Sequence, residues 1–448
     1  MKATVKPVDA AEFGGLMAQF LPKISKNGVA VGVSGGSDSL ALLLLAQAWA
    51  RRRRLPIVAL TVDHRLRPNS TAEAETVAGW CASRAIAHKT LTWRGNKPDT
   101  GIQAAARDAR YRLMGQWCRR HGVTALLVAH QVEDQAETVL MRLCHGSGVD
   151  GLAAMAPAVR RDGFWLMRPL LAVTRGRLVA TLRAVDQPWL DDPSNLDQRF
   201  ERVRIRRTLA DLNVDGVASG RIARTAGRMA RAGAALDQAT ADLRGAIYRD
   251  WPAGYATLDG PALAAAPEEI ALRLLGHATE EIGGGGRPNL ARLERLYEAL
   301  RPCLLGRREQ RLVRTLNRCE IRLANRQVML CRERRNLQPA LGLAGTRTVS
   351  WDRRFRFRVN LRRGAAMPPD LTIGALEPAG WQEIHHKLTG YLKKMPPLPV
   401  TATLPALRHL DAIVACPHLE FIDPAAANWL KSVTVERTAP ERHDFASS

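Results

Sequence analysis

The run Ser34-Gly35-Gly36-Ser37-Asp38-Ser39 directly follows the apolar stretch Val29 to Val33 and opens into a helical stretch at Ser37. A strand, a glycine-bearing turn and a helix start, in that order, constrain this chain more than any other feature. Open α/β sheets bind ligands where strands end and helix N-termini point. The two glycines let the backbone approach an anion, the helix start offers unpaired N–H groups and a positive dipole end, and three serines add hydroxyl donors. The pattern is predicted to cradle a pyrophosphate. It is neither G-x-x-x-x-G-K-[ST] nor G-x-G-x-x-G, which argues against ordinary NTPases and dehydrogenases. Asp38 would repel bound phosphates unless a cation stood between them, so Mg²⁺ is expected between its carboxylate and phosphate oxygens. Taken alone, the run is also readable as a Ser/Gly turn with Asp38 capping the helix.

The surrounding sequence supports the first reading. Strands are predicted at Val29 to Val33, Pro56 to Val62, Lys89 to Trp93 and Ala125 to Ala129. Between them, Ser37 to Arg54, Ala72 to Arg84, Ile102 to His121 and Glu133 to Leu143 carry apolar residues at helical spacing. The alternation predicts a doubly wound parallel α/β sheet in residues 1–216. Residues 217–338 read as a mainly helical domain, with helices at Ile222 to Ala246, Glu268 to Ala278 and Leu290 to Leu300, a flexible loop at Gly283 to Gly286 and a hairpin near Ile321 to Leu330. Residues 339–448 read as a small mixed α+β domain, with strands at Thr348 to Trp351, Phe355 to Val359 and Ile413 to Ala415 and a loose tail after Leu430.

Lys and Arg number 66 against 43 Asp and Glu, a formal charge of +23, more than solubility asks for. A polyanionic partner is expected, although charge alone leaves RNA, DNA and anionic membranes open. The seven cysteines are scattered with no C-x-x-C pair, so neither a disulfide framework nor a zinc or iron-sulfur site is indicated. The longest apolar run, Leu40 to Ala46, is too short to cross a bilayer, and with no signal-peptide layout the cytoplasm is the expected compartment.

Further blocks follow the loop: Val62-Asp63-His64-Arg65-Leu66-Arg67, Ala106 to Tyr111, Ala129 to Thr138, Gly146-Ser147-Gly148-Val149-Asp150-Gly151-Leu152, Arg168-Pro169-Leu170-Leu171, Asp192-Pro193-Ser194-Asn195 and Arg202 to Arg206. The loop resembles that of the PP-loop ATP-pyrophosphatase superfamily. The ordered series across about residues 28 to 207 resembles the tRNA-isoleucine lysidine synthetase family. This resemblance implies that ATP adenylates the C2 carbonyl oxygen of the wobble cytidine of a CAU-anticodon isoleucine tRNA. The ε-amine of free lysine then displaces AMP to give lysidine. It implies ATP as co-substrate with Mg²⁺, and no membrane or protein partner is evident.

The residues also have readings of their own. Asp63 and His64 stand at a predicted strand's carboxyl end, where nucleotide contacts are expected, although a turn residue and a loop histidine is an equal alternative. Arg107 and Arg110 share a helix face, so at least one, with Arg110 preferred, is expected at the α-phosphate; a solvated helix face is the plainer reading. Asp134 and Glu137, three residues apart, are able to face one pocket and hold the amines of a cationic amino acid; acids favoured at a helix start is the plainer reading. By resemblance, Asp38, His130 and Asp134 are expected in catalysis and Asp134, Glu137 and Arg206 in lysine binding. Ser34 to Ser39, with Asp63 and His64, are expected around ATP. Arg202, Arg204 and Arg207 are expected against tRNA phosphate. Gln131, Glu133 and Val203 depart from the family's pattern of His-His, paired aspartates and Asn; Gln131 is no proton shuttle. The rivals are a PP-loop tRNA thiolase or a zinc deaminase, whose cysteine pairs are missing, and a catalytically inactive tRNA-binding protein, against which Asp38 and Asp134 argue. Arginines 307, 308, 311, 314, 353, 354, 356 and 358 are expected to grip the tRNA body, with solubilising charge as the alternative.

Overall fold

A computed structural model describes residues 5–98, 100–191, 201–214, 219–306, 310–343, 345–388 and 395–438. The chain forms two compact units that meet in sequence between Gly233 and Ala234. The expected Asp192 to Asn195 block, Arg307 and Arg308 lie outside the described residues.

The first unit opens with α1 (Ala10–Ala18), capped by Asp9, whose carboxylate accepts from the Ala11 and Glu12 amides. Then come β1 (Val29–Gly32), α2 (Ser37–Arg52), β2 (Ile57–Asp63), α3 (Ser70–Ser83), β3 (Ala87–Thr92), α4 (Ile102–Arg120) and β4 (Ala125–Leu127). After α5 (Val132–Cys144) and α6 (Val149–Leu152) come β5 (Ala158–Arg161), β6 (Phe164–Met167), α7 (Arg175–Arg183), α8 (Glu201–Val214) and α9 (Ser219–Ile247), which runs past the unit boundary. The sheet order is β3-β2-β1-β4-β6-β5, all parallel except the antiparallel edge pair β5-β6. The order reverses between β1 and β4, and the crevice beyond their carboxyl ends is where such sheets place ligands. The four expected strands and four expected helices are present with ends shifted by a residue or two; β5 and β6 extend the sheet beyond the expected set. Val29, Val31, Leu127 and the inner face of α2 (Leu42, Leu43, Ala46) form one core layer, and Ala30, Leu60, Leu126 and Met114 form the other. A sheet buried on both faces explains why its strands read as continuous apolar runs.

The second unit begins within α9. The region expected to be helical contains α10 (Gly260–Ala265), α11 (Glu268–Gly283) and α12 (Leu290–Leu305), and also an antiparallel sheet. That sheet consists of β7 (Tyr248–Trp251), β8 (Tyr255–Asp259), β9 (Leu312–Leu316), β10 (Cys319–Ala324) and β11 (Gln327–Arg332), in the order β7-β8-β11-β10-β9. The expected hairpin is β10-β11, closed by Asn325 and Arg326 at φ +49° and +57°. The glycine run is no loose loop. Gly284 ends α11 at φ +63°, a Cβ on Gly283 would lie 2.0 Å from the Asn317 carbonyl oxygen, and Asn317 Nδ2 donates to Gly286 O at 2.7 Å. The run is there because the β9-β10 turn packs against its backbone.

Two further sheets complete this unit. One joins β12 (Leu341–Gly342), β15 (Leu371–Ala375), β16 (Pro405–His409), β17 (Ala412–Cys416) and β18 (Phe421–Ile422); the other joins β13 (Thr348–Trp351), β14 (Phe355–Leu361) and β19 (Leu430–Arg437). The expected tail thus starts as a strand: Val433 and Val435 pair with Val359 and Phe357 of β14, which gives the segment an apolar partner. Alternation on β14 buries Phe355, Phe357 and Val359 and exposes Arg356 and Arg358. Arg354 departs from the expected RNA-facing set: it is 2% exposed and, with Arg332, sandwiches the buried Asp352 at 2.8 and 3.0 Å. Arg311, Arg314 and Arg353 are exposed as expected. No helix among the described residues is long and apolar enough to cross a membrane.

Candidate active site

The loop after β1 has the form its residues dictate. Gly35 adopts φ +88°, a conformation that side chains resist, and a Cβ there would meet Leu190 Cδ1 at 2.8 Å and Val77 Cγ2 at 3.0 Å. Its carbonyl accepts from the Leu190 amide at 2.9 Å, tying the loop to the segment after α7. Ser39 Oγ donates to Gly36 O at 2.9 Å and accepts from the Ser34 amide at 3.2 Å, so these serines brace the loop. Gly36 is the N-cap of α2 and supplies no side-chain cap, leaving the first-turn amides open to an anion.

Asp38, in that first turn, accepts from Ser37 Oγ at 3.2 Å and lies 3.8 Å from Arg175 Nε. Burial pushes its carboxyl up to about 6, Arg175 opposes the shift, and the neighbouring Asp134 and Glu133 add to it. A carboxylate this short of compensation at a helix start fits a cation partner.

At the end of β2 the two expected nucleotide residues part company. Asp63 is 3% exposed, and its carboxylate accepts from the Arg65 amide (2.9 Å), Ser70 Oγ (2.8 Å) and Thr71 Oγ1 (2.9 Å). These bonds outweigh burial and hold its pKa below the usual range. Asp63 therefore shapes the loop and the start of α3. His64 keeps both ring nitrogens buried without a hydrogen-bond partner, edge-on to Trp93 at 5.8 Å. Burial, assisted by Arg110 and Lys97, depresses its pKa to about 4. An orphaned neutral imidazole at the ligand edge of the sheet suits a nucleotide contact. Arg110 is exposed on α4, close enough to act on both His64 and His130.

Between β4 and α5, Gln131 has a local duty that explains its departure from a second histidine. Its side-chain oxygen accepts from the Glu133 amide while its own amide donates to Asp134 Oδ2 at 3.1 Å, a capping box that starts α5. Glu133 reaches across to accept from the Arg175 amide at 3.0 Å, at the start of α7. His130 Nδ1 accepts from Arg168 Nε at 3.2 Å.

Asp134 and Glu137 lie one turn apart on α5, and both meet α8. Glu137, 1% exposed, accepts from Arg206 Nε at 2.7 Å through Oε1, and its Oε2 stands 3.4 Å from Arg202 Nε. Arg202 also lies 3.9 Å from Asp134 Oδ1. Spacing of four residues puts Arg202 and Arg206 on one face of α8, whereas Arg204 and Arg207 are exposed on another. Of the basic segment, then, the first pair belongs to the crevice and the second to the surface. Arg202 is thereby turned toward the two carboxylates. Burial lifts the Glu137 pKa despite these partners, while its carboxylate keeps Arg206 firmly charged against burial. Glu137 Oε2 has no hydrogen-bond donor although it is buried, so the carboxylate has room for one more.

Two residues here carry no local sign of their role in the sequence. Arg175 lies in no motif. Arg168, within Arg168-Pro169-Leu170-Leu171, is 3% exposed and donates from Nη1 to Ala156 O at 2.7 Å. The Gly146 to Gly151 block bends into α6, where Arg142 Nη1 donates to Gly151 O at 2.9 Å.

Residues 11–212 match the family model of the PP-loop domain. The chain is 43% identical over 303 residues to a tRNA(Ile)-lysidine synthase of Methylobacterium nodulans, covering 67% of this chain and 88% of that one. It is 45% identical over 276 residues to the enzyme of that name from Rhodopseudomonas palustris (61% and 80% covered). Against that from Ruegeria pomeroyi it is 39% identical over 351 residues (77% and 79%). With the uncapped loop, the paired acids of α5 and the arginines of α8 gathered at the sheet's switch point, and with identity of this extent to such relatives, the chain belongs to the tRNA(Ile)-lysidine synthase family.

Proposed function

We propose that this chain ligates free L-lysine to C2 of the wobble cytidine in the CAU-anticodon isoleucine tRNA, using ATP and passing through an adenylated cytidine. The observation that carries this reading is one crevice offering both an anion-receptive helix start and carboxylates that receive a cation. The open amides of α2 suit ATP phosphates, and Glu137 Oε2, which accepts no hydrogen bond and stands 3.4 Å from Arg202 Nε, suits an ammonium group together with Asp134. Asp38 is the residue that would hold Mg²⁺, through its short-changed carboxylate together with phosphate oxygens. The ion's contribution when bound is neutralisation of charge on the departing pyrophosphate.

Two displacements follow. The cytidine O2 attacks the α-phosphorus and the bond to pyrophosphate breaks. The lysine ε-amine then adds to C2, the C2–O bond breaks, and AMP leaves with that oxygen. The chain's residues orient and balance charge: Ser34 to Ser39 with His64 and Arg110 around the nucleotide, Asp134 and Glu137 on the amines, Arg206 on the lysine carboxylate. Asp134, the more accessible of the two carboxylates at 16% against 1%, is the better placed to take the proton the amine sheds. The exposed Arg204 and Arg207 face tRNA phosphate. The expected compartment is the cytoplasm, where charged ATP, lysine and tRNA meet.

The test is mass spectrometry of nucleosides from the CAU-anticodon isoleucine tRNA incubated with the full chain, ATP and lysine. A nucleoside heavier than cytidine by one lysine less one water is expected. Unmodified cytidine, with ATP consumed or not, would overturn the proposal.

A further inference from the structure

His130 and Arg168 emerge side by side from the carboxyl ends of β4 and β6, adjacent parallel strands registered at Leu127 and Met167. Arg168 is fixed at three points. Its amide donates to Pro157 O at 2.8 Å, its Nη1 to Ala156 O at 2.7 Å, and its Nε to His130 Nδ1 at 3.2 Å. A guanidinium is donor only. The imidazole nitrogen it meets must therefore be bare, and the ring's one proton must reside on Nε2. A protonated imidazolium would set two N–H groups against each other and add a charge next to Arg168.

The surroundings repeat the argument. The largest charged influences on His130 are Arg168 after β6, Arg107 and Arg110 on α4 and Arg202 on α8, all cationic. Together with burial, the largest influence, they hold its pKa well below the ordinary histidine value. A neutral imidazole among four guanidinium groups is a poor proton acceptor, and its Nε2–H is a hydrogen-bond donor in a corner made for negative charge.

We propose that Arg168 is a positioning residue that locks His130 in its Nε2–H tautomer, so that His130 donates a hydrogen bond to a phosphoryl oxygen during adenylation instead of taking a proton. The role in adenylation rests on the family reading above; the tautomer does not. No proton changes hands at His130. The oxygen it faces gains negative charge as the cytidine O2 bonds to the α-phosphorus, and a donor already oriented needs no rearrangement to meet it.

The first measurement needs no substrate. Long-range ¹⁵N–¹H spectra of the labelled full-length chain, with His130 assigned by difference against His130→Gln, are expected to show Nδ1 unprotonated and Nε2 protonated from pH 5.5 to 8.5. In Arg168→Ala, if it folds, His130 is expected to lose this bias and titrate. A wild-type His130 that carries its proton on Nδ1, or titrates between pH 6 and 7.5, overturns the proposal. The second measurement compares two amides in tRNA-dependent AMP formation. Gln places an N–H near the imidazole Nε2 and Asn places its own near Nδ1. His130→Gln is expected to lose about tenfold and His130→Asn on the order of 10² to 10³-fold, the usual cost of a missing oxyanion donor. Equal losses would overturn the donor role. If the wild type makes AMP but no lysidine, the family reading fails while the spectra still decide the tautomer.

Discussion

Replacing Asp38 by Asn is expected to make the protein more stable and inactive. Burial lifts the Asp38 carboxyl from 3.8 to about 6, with Arg175 opposing and Asp134 and Glu133 reinforcing. A carboxyl whose pKa is higher in the folded state binds its proton more tightly there than in the unfolded chain, so ionisation works against folding. The penalty is absent below about pH 3.8, grows between 3.8 and about 6, and is complete above that. A shift of roughly 2 pKa units corresponds to about 3 kcal/mol at pH 8. The attraction of Arg175, 3.8 Å away, is already contained in that shift, so removing the charge gains about 3 kcal/mol, on the order of 6–12 °C in Tm for a unit of this size. Thermal unfolding of wild type and Asp38→Asn across pH 4 to 8, without ATP or divalent cations, measures it. The variant should melt higher at pH 8 and the gap should close toward pH 4, because only Asp38 differs. A variant that melts lower at pH 8, or a gap that ignores pH, would refute the reasoning.

Gly35→Ala is expected to cost about 1–3 kcal/mol through a Cβ at φ +88° and 2.8 Å from Leu190, and to weaken ATP binding measured by calorimetry; unchanged affinity would separate the loop from the nucleotide. Glu137→Gln keeps an acceptor for Arg206 but removes the charge, so the lysine KM should rise about tenfold, the worth of one charge-assisted bond, with little change for ATP. Equal rises in both constants would instead mean that α8 had come loose. Arg224→Glu with Arg228→Glu should weaken tRNA binding and flatten its salt dependence while leaving ATP binding intact, because Arg221, Arg224, Arg228 and Arg231 are all exposed at spacings of three, four and three on α9. An unaltered salt slope in filter binding would take that helix off the RNA path.

Much of the fold was legible because its determinants are local. A parallel sheet covered on both faces writes apolar runs of strand length, and helices that cover it write a period of 3.6. What escaped notice depends on distant partners. The strand Leu430–Arg437 has few local marks beyond its valines, and it is ordered by β14, about seventy residues earlier. The glycine run at 283 to 286 reads as flexibility on composition, but Asn317 packs so closely that no side chain fits at Gly283. Arg354 looks like its neighbours Arg353 and Arg356 in the sequence, and only the burial of Asp352 between two guanidinium groups sets it apart.

The site shows the same division, and there charge balance is the reason. Its anion-receptive part is contiguous in sequence and could be read from Ser34 to Ser39. Its cationic part is assembled from α4, β6, α7 and α8, whose arginines occur in a chain already rich in them, so composition gives no hint which of them turn inward. Pairing selects them. Arg202 and Arg206 answer Glu137, the Arg175 guanidinium answers Asp38, and Arg168 answers a bare histidine nitrogen. These partners largely offset one another, which lowers the cost of keeping so many charges in one crevice. With lysine docked as proposed, its ammonium group would compete with arginine for Glu137, and phosphates would compete with carboxylates for arginine. Binding in such a site would exchange ion pairs that already exist for ion pairs with substrate, so its selectivity would rest on geometry more than on net charge. Glu137 Oε2, which accepts no hydrogen bond and stands 3.4 Å from Arg202, and the His64 ring, whose two nitrogens are buried without a partner, are where such an exchange would begin.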